Sequence, residues 1–506
     1  MNGKREYGDY QTPIDFAERV CAYLRVNRSC APSAVVEPTC GTGSFLKSSL
    51  SFNAQEYYGI EINPDYCAAC QSSIDDARVK IINSDFFSFS LRDLIKDKRQ
   101  ILVIGNPPWV TNSTLSSLHS TNLPNKANFK GFKGIDAITG ASNFDICEFI
   151  ILQLIQEFKN TNTIISMLCK TTVARNVFKE LKRNRIGFTS CDILEFDASK
   201  VFGISANACV LVVQLSEADV ASDCCDVFDF EHPQVVKSRI SYEENRLQHI
   251  SGKSIDNFDG QCCFEWRQGV KHDCSKVMEL SSVNGSLVNG SGETIDLEDD
   301  LVYPLIKSSM FKSPIIHSFS KYVIVTQKHV REKTESIRDN YPQTWQYLQS
   351  HKDAFERRKS SIYRDAPPFS MFGIGDYSYA KYKVGVSGFY KKPLFSLLYS
   401  DDGKPVMTDD TSYFIAFDSY EMAYVAMLIL NSDRVQDFIS SIAFVDSKRP
   451  YTKKVLERID FNRIVEVLTI KDLIQTESEL LLSCFVTSSM FKSFKRMINI
   501  GQLRLA

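Results

Sequence analysis

Between residues 34 and 215 the sequence alternates short β-rich apolar runs with stretches of helical periodicity, and this alternation constrains the fold more than any other feature. Ala34-Val35-Val36, Glu56-Tyr57-Tyr58-Gly59-Ile60, Val79-Lys80-Ile81-Ile82 and Ile101-Leu102-Val103-Ile104 read as four strands. Helical patterns over 44–49 and 65–74 separate the first three. A longer one, 144–158, feeds the apolar run 163–168, and Cys209-Val210-Leu211-Val212-Val213 reads as a last strand. Strands that alternate with helices pack as a mostly parallel, doubly wound α/β sheet. The acidic, polar stretch from Ser216 to Asp229 breaks the rhythm and reads as the exit from this domain. A chain of 506 residues is too long for one ordinary core, so a second domain is expected. It is placed at 260–506, after a first domain at 1–230. Aromatics and turn signals such as Ala366-Pro367-Pro368 replace the βαβ pattern there, which predicts α+β character with helices near 419–429 and 476–485.

Composition narrows the class. No apolar run approaches the roughly 18 residues of a membrane span, and Met1-Asn2-Gly3-Lys4-Arg5-Glu6-Tyr7 lacks the apolar core of a secretory signal. A cytoplasmic protein without membrane contact is expected. Fifteen cysteines spread along such a chain read as reduced, mostly buried thiols. Cys67 and Cys70 form a C-x-x-C, and Cys262, Cys263, His272 and Cys274 a second group; neither has a four-ligand spacing, so no metal is expected. The formal net charge of −2 gives no global nucleic-acid signature, which leaves DNA contact to local basic surfaces.

The chemistry lies at strand ends. Glu37-Pro38-Thr39-Cys40-Gly41-Thr42-Gly43 sits where the first strand turns into a helix, and glycine there lets a ligand approach the main chain closely. No third glycine follows at dinucleotide spacing, which disfavours a nicotinamide. Glu61 ends the second strand about 20 residues further on, where an acid can accept both hydroxyls of a ribose. Asp85 ends the third and can accept from an adenine amino group, with Phe86 packing on the ring; for one of Phe86 and Phe87 plain core is the expected role.

The fourth strand runs into Gly105-Asn106-Pro107-Pro108-Trp109. Two prolines fix φ and supply no N–H, so they hold the Asn106 side chain and the Pro107 carbonyl rigidly at the sheet edge where open α/β folds bind ligands. Together these two acceptors can take both hydrogens of an exocyclic amine. The lone pair of adenine N6 is delocalised into the ring; two placed acceptors favour a more tetrahedral nitrogen aimed at an electrophilic methyl, and positioning and electrostatics carry the transfer. Trp109 offers a flat face for the base. Separately these features read as a strand–helix turn, a solvated acid and a Pro-Pro turn over a core ring. Their order is what points to amine methylation.

In that order the motifs resemble the gamma class of amino-methyltransferases, the TaqI-like adenine-N6 DNA methylases. The resemblance implies a Rossmann-like domain that takes a methyl group from S-adenosylmethionine, an already activated sulfonium that needs no dedicated base. Tyr10-Gln11-Thr12-Pro13 is similar to the family's extra N-terminal cofactor motif, which gives Tyr10, Thr12 and Pro13 a place by the methionine part. Glu37, Gly41 and Gly43 resemble the first cofactor motif, Glu61 with Ile62 beside it the ribose site, and Asp85-Phe86 the adenine pocket. Asn106 also borders the cofactor, and Asn106-Pro107-Pro108-Trp109 resembles the catalytic tetrapeptide, with Trp where Tyr or Phe is also common. Lys200-Val201-Phe202-Gly203 resembles the motif whose Phe packs on the flipped adenine opposite Trp109. Asn143-Phe144-Asp145 resembles a helix start near the cofactor, with an N-cap as the simpler role for Asn143.

The same resemblance implies that the C-terminal domain reads the DNA. Trp266-Arg267-Gln268-Gly269-Val270-Lys271, the stretch 303–309, Phe372-Gly373-Ile374-Gly375-Asp376-Tyr377 and Tyr382-Lys383-Val384 resemble its segments. Lys126, Lys130 and Lys133 in the loop 121–134, Arg357-Arg358-Lys359, the stretch 381–392 with Lys381 and Lys383, and the basic run 448–454 suit phosphate contacts. An adenine stacked in a duplex cannot reach the pocket, so it must flip out. The expected function is a site-specific adenine-N6 methyltransferase acting on double-stranded DNA, the modification component of a restriction–modification system. Too few residues precede Tyr10 for a fused N-terminal nuclease, so a cognate endonuclease would be a separate chain; monomer and dimer are both compatible. Two alternatives stay open: methylation of an RNA guanine or protein glutamine amine, which the Asn-Pro-Pro-aromatic logic serves equally, and an inactive DNA-binding subunit that retains the fold.

Overall fold

The computed structural model describes residues 10–88, 90–95, 100–110, 145–218, 220–250 and 255–503. The chain divides into two compact units, Met1–Gly252 and Lys253–Ala506.

The first unit is built on one sheet: β1 (Ala34–Glu37), β2 (Glu56–Glu61), β3 (Val79–Asn83), β4 (Ile101–Gly105), β5 (Thr163–Lys170), β6 (Phe188–Asp197), β7 (Asn207–Leu215), β8 (Cys224–Asp229), β9 (His232–Glu243) and β10 (Arg246–Ile250). Their spatial order is β10-β9-β8-β6-β7-β5-β4-β1-β2-β3. The strands from β3 to β5 run parallel, and β7 inserts antiparallel between β5 and β6. β1 and β4 are buried along their whole length, as near-continuous apolar runs in a sheet covered on both faces must be. Helices form where apolar residues share one face. In Thr171–Arg183 the buried Val173, Ala174, Val177, Phe178 and Leu181 line one stripe.

The chain winds in opposite directions from β1: β2 pairs on one side and β4 on the other. Ligands of open α/β sheets bind at such a reversal, outside the carboxyl ends of the strands. The register Val36↔Val103 and Glu37↔Gly59 brings the turns that follow β1, β2 and β4 to one level.

Two features depart from the sequence reading. β6 was not foreseen, because its centre carries Asp192, which takes a hydrogen bond from Tyr23 Oη at 2.8 Å and an ion pair from Arg28. The acidic stretch after Ser216 does not leave the sheet: Cys224–Asp229 pairs with β6, and two further strands carry the sheet to Ile250.

The second unit holds a five-stranded and a six-stranded sheet with helices, an α+β arrangement. Its largest core gathers Trp266, Val384, Leu397 and Ile415 under the helix Tyr420–Asn431. The helix expected over 476–485 ends earlier, at Glu479, because Leu481 adopts a left-handed φ of 56°; the chain restarts as Ser488–Leu503. Among the described residues no helix is long and apolar enough to cross a membrane.

Candidate active site

The turn after β1 is a glycine-shaped bowl. Gly41 and Gly43 have φ of 52° and 86°, a region that side chains with a Cβ avoid. A Cβ at Gly43 would lie 2.4 Å from Cys70 Sγ, so the thiol closes the far side of the turn. Gln11 lies over the near side: its Oε1 accepts from Thr42 N at 3.1 Å and from Thr42 Oγ1 at 2.9 Å. The N-terminal Tyr10-Gln11-Thr12-Pro13 segment is thus pinned to a turn thirty residues away, with Thr12 buried beneath it. The motif's expected contacts fall on Tyr10, Thr12 and Pro13, yet Gln11 between them makes the bonds to the turn; its place inside the motif is the signal for it.

Two carboxylates frame the bowl. Glu37 is buried and accepts from Leu46 N at 3.0 Å, at the start of the helix Ser44–Ser49; burial pushes its carboxyl well above the usual carboxylate range. Glu61 accepts from Gly41 N at 2.9 Å and from Asn63 N at 2.8 Å, which ties the end of β2 to the glycine turn. Ile62 beside it is 45% exposed, an apolar side chain left open to solvent at the rim. Asp85 is exposed and accepts from Phe87 N at 3.0 Å. Phe86 is buried, with its ring edge-on to Phe87 at 5.3 Å.

Asn106 stands at the end of β4. Its Nδ2 donates to Tyr10 O at 2.8 Å, while its Oδ1 is buried without a hydrogen-bond partner among the described residues. A buried amide oxygen left unpaired costs about 1–3 kcal/mol, so it marks a place where a donor is wanted. Trp109, directly after the prolines, is buried, and its Nε1 also lacks a partner among the described residues. Around it stand two more rings: Phe202 at 5.6 Å, edge-on, and Tyr10 at 6.2 Å. Phe202 follows β6 in the short helix Ala198–Phe202, which ends at Gly203 with φ of 68°. At the end of β5, Lys170 Nζ donates to Asp145 Oδ2 at 2.6 Å. Asp145 also caps the helix Ile146–Phe158 through Cys147 N at 3.1 Å, the role considered for Asn143, which lies outside the described residues. No group of His, Cys, Asp and Glu able to hold a metal occurs among the described residues.

A glycine bowl, an acid at the end of the next strand and an unpaired amide acceptor beside an aromatic cluster have the layout of a methyl-transfer site. Residues 1–284 match the N-6 DNA methylase family. Over 476 residues the chain is 39% identical to the Type II methyltransferase M.NspV of Nostoc sp., covering 92% of this chain and 98% of that protein. The chain belongs to the N-6 DNA methylase family. A second relative, the Type II methyltransferase M.CvrRI of Paramecium bursaria Chlorella virus XZ-6E, is 31% identical over 108 residues, 21% of this chain and 26% of that one. In fold, this N-6 DNA methylase resembles the Type IIL restriction-modification enzyme MmeI in complex with DNA, with a TM-score of 0.54 and 11% identity over 96% of this chain and 71% of that chain.

An N-6 DNA methylase takes its methyl group from S-adenosylmethionine. The residues present fit that donor: Gly41 and Gly43 hold a tight turn with left-handed φ whose main chain a ligand can approach, an acid and an exposed apolar residue adjoin it, and the orphaned Asn106 oxygen lies at the next strand end.

The basic residues expected on DNA fare differently. Arg357 and Lys381 are exposed. Lys383 is 1% exposed, with its Nζ donating to Ala380 O at 2.9 Å, and so cannot reach a phosphate. Arg358 is half-buried and held in place, donating to Ser370 O at 2.6 Å with its guanidinium 3.8 Å from the centre of the Tyr363 ring. These contacts tie its guanidinium to the unit, so it is not a free surface cation. Lys126, Lys130 and Lys133 lie outside the described residues.

Proposed function

We propose that this methylase is the modification enzyme of a restriction–modification system and that it methylates an adenine flipped out of duplex DNA. The observation that carries the reading is the Asn106 amide, anchored through Nδ2 and unpaired at a buried Oδ1. An adenine amino group supplies the donor that this oxygen lacks. The Pro107 carbonyl takes the second hydrogen, held by the adjoining Pro108, whose fixed φ limits its movement.

S-adenosylmethionine, when bound, supplies a methyl group already activated on sulfur. The chain's own work is to orient and to exclude water. Gly41, Gly43 and Gln11 shape the seat of the donor, Glu61 faces its ribose, and Ile62, Asp85 and Phe86 border its adenine. Trp109 stacks on the target base, with Phe202 on its edge, and Tyr10, whose ring stands 6.1 Å from Phe202, adds a third wall. Stacking of this kind offsets the few kcal/mol that extrusion from the duplex requires. The second unit, Lys253–Ala506, acts as the target-recognition domain expected over 260–506. A cognate endonuclease encoded as a separate chain completes this reading; the relative M.NspV is a Type II methyltransferase.

The test is direct. Purified protein, tritiated S-adenosylmethionine and a library of duplexes are expected to yield N6-methyladenine at one short sequence. Label in cytosine, RNA or protein, or in no adenine while the donor binds, overturns the reading.

A further inference from the structure

The second unit contains a cleft of about 710 Å³ whose lining is charged. Its floor carries cations that are already paired. Lys307 Nζ donates to both oxygens of Glu279 at 2.9 and 2.8 Å, and Lys271 Nζ donates to Asp273 at 2.5 Å and lies 3.5 Å from Asp410. Those two lysines face three carboxylates, Glu279, Asp273 and Asp410, so this part of the lining offers no free positive charge.

The rim is different. The Arg357 side chain is 80% exposed, and its ion-pair partner among the described residues is Asp353, 82% exposed, at 3.8 Å. Contacts of that kind between solvated side chains hold little. Lys359 is exposed and has no ion pair among the described residues. On the rim stands Phe389, 37% exposed, with the Arg449 guanidinium 5.1 Å from its ring centre. Ser309 adds an exposed hydroxyl. Unpaired cations track phosphates and a flat exposed ring takes a base or sugar face, the pairing that nucleic-acid strands require. A small anion or an acidic peptide would use the cations and leave the ring without a partner.

We propose that this cleft seats the sugar-phosphate backbone of the DNA, with Arg357 and Lys359 on phosphates and Phe389 against the adjoining nucleoside. The proposal deepens the target-recognition reading of the second unit and rests on it. Backbone contacts carry no sequence information, so binding to a duplex of arbitrary sequence tests it without methyl transfer.

The experiment measures the affinity of the full chain for such a duplex across a salt series. Each phosphate contact adds about 0.9 to the slope of log K against log salt. The double variant Arg357→Ala/Lys359→Ala is expected to lose nearly two such increments, and Phe389→Ala to weaken binding with the slope unchanged. A control pair of exposed cations outside the cleft, Arg338→Ala/Lys352→Ala, is expected to behave like the unmodified protein. An unchanged slope in the cleft double variant, or an equal loss in the control pair, overturns the proposal even if the enzyme methylates adenine. Loss confined to the cleft variant supports it even if transfer to adenine fails.

Discussion

Asn106 Nδ2 donates to the carbonyl oxygen of Tyr10 at 2.8 Å, across 96 residues of sequence. That bond fixes which face of the amide is spent on the protein and which is left for a ligand. Oδ1 stays buried and unpaired, held at the end of β4 before two prolines.

Asn106→Ala removes the acceptor and is expected to lower kcat by about 10²–10³-fold or more, the range for deleting one preorganised polar group at a reacting centre. Asn106→Asp retains an oxygen but places a carboxylate against the Tyr10 carbonyl, so it is also expected to lose activity. Both should bind S-adenosylmethionine within a few-fold of the unmodified enzyme. Single-turnover kinetics with calorimetric titration of the donor separate the two effects. Normal turnover in the Asp variant would show that the anchoring bond is unimportant.

The two glycines of the bowl differ in what surrounds them. A Cβ at Gly41 meets the end of a flexible side chain, Gln11 Oε1 at 2.7 Å, which can move away. A Cβ at Gly43 meets Cys70 Sγ at 2.4 Å and Ile74 Cδ1 at 3.2 Å inside the packed helix Pro64–Ser73 and its end. Both sites also carry left-handed φ, which adds strain of roughly 1–2 kcal/mol for a non-glycine residue. Gly43→Ala is therefore expected to lower the melting temperature clearly, whereas Gly41→Ala acts mainly through weaker donor binding. Equal loss of stability in both would mean that the strained φ, not the packing, decides.

The sequence made the first unit legible where physics is local. Each apolar run from β1 to β5 and the turn residues after them lie within a few positions of one another, and the motifs sit at strand ends that any parallel sheet gathers at one edge. What it concealed depends on partners far along the chain. Asp192 reads as a strand breaker until Tyr23 and Arg28 are found beside it. Lys383 reads as a surface cation, although in the sheet its side chain is buried, with Nζ donating to Ala380 O and lying 5.6 Å from the centre of the Phe414 ring. The expected helix over 476–485 failed for a local reason, a single left-handed residue at Leu481, that periodicity does not register.

Lys383 gives a test of that correction. Burial pulls its ammonium down to about 7 from the usual 10.5. Between those values the unfolded chain binds more protons than the folded one, so stability rises as pH rises from about 7 to 10.5. Lys383→Met removes this titration, and the melting temperature of the variant is expected to lose that rise relative to the unmodified protein. Its DNA affinity and salt slope should not change. A lowered salt slope would return Lys383 to the DNA surface.

His272 acts in the acid window of the pH profile, with the same sign as Lys383. Burial lowers its pKa from 6.5 to about 4, with the nearby Lys307 acting in the same direction and Asp273, Asp410 and Arg358 adding smaller effects. Glu279 lies 3.6 Å from Nε2 and would favour a proton, but its two oxygens already take both bonds from Lys307, so the imidazole stays neutral. Its Nδ1 accepts from Cys274 N at 3.2 Å, a bond that protonation would break. The unfolded histidine binds a proton through the window from 6.5 down to about 4 while the folded one does not. Stability from this group is therefore complete above 6.5 and is lost as pH falls toward 4, by an amount on the order of 3 kcal/mol at most. His272→Asn keeps an acceptor for Cys274 N and cannot titrate. Its unfolding free energy, followed in urea from pH 7.5 to 4.5, is expected to fall less steeply than that of the unmodified chain; parallel curves would mean that His272 already carries its proton in the folded state.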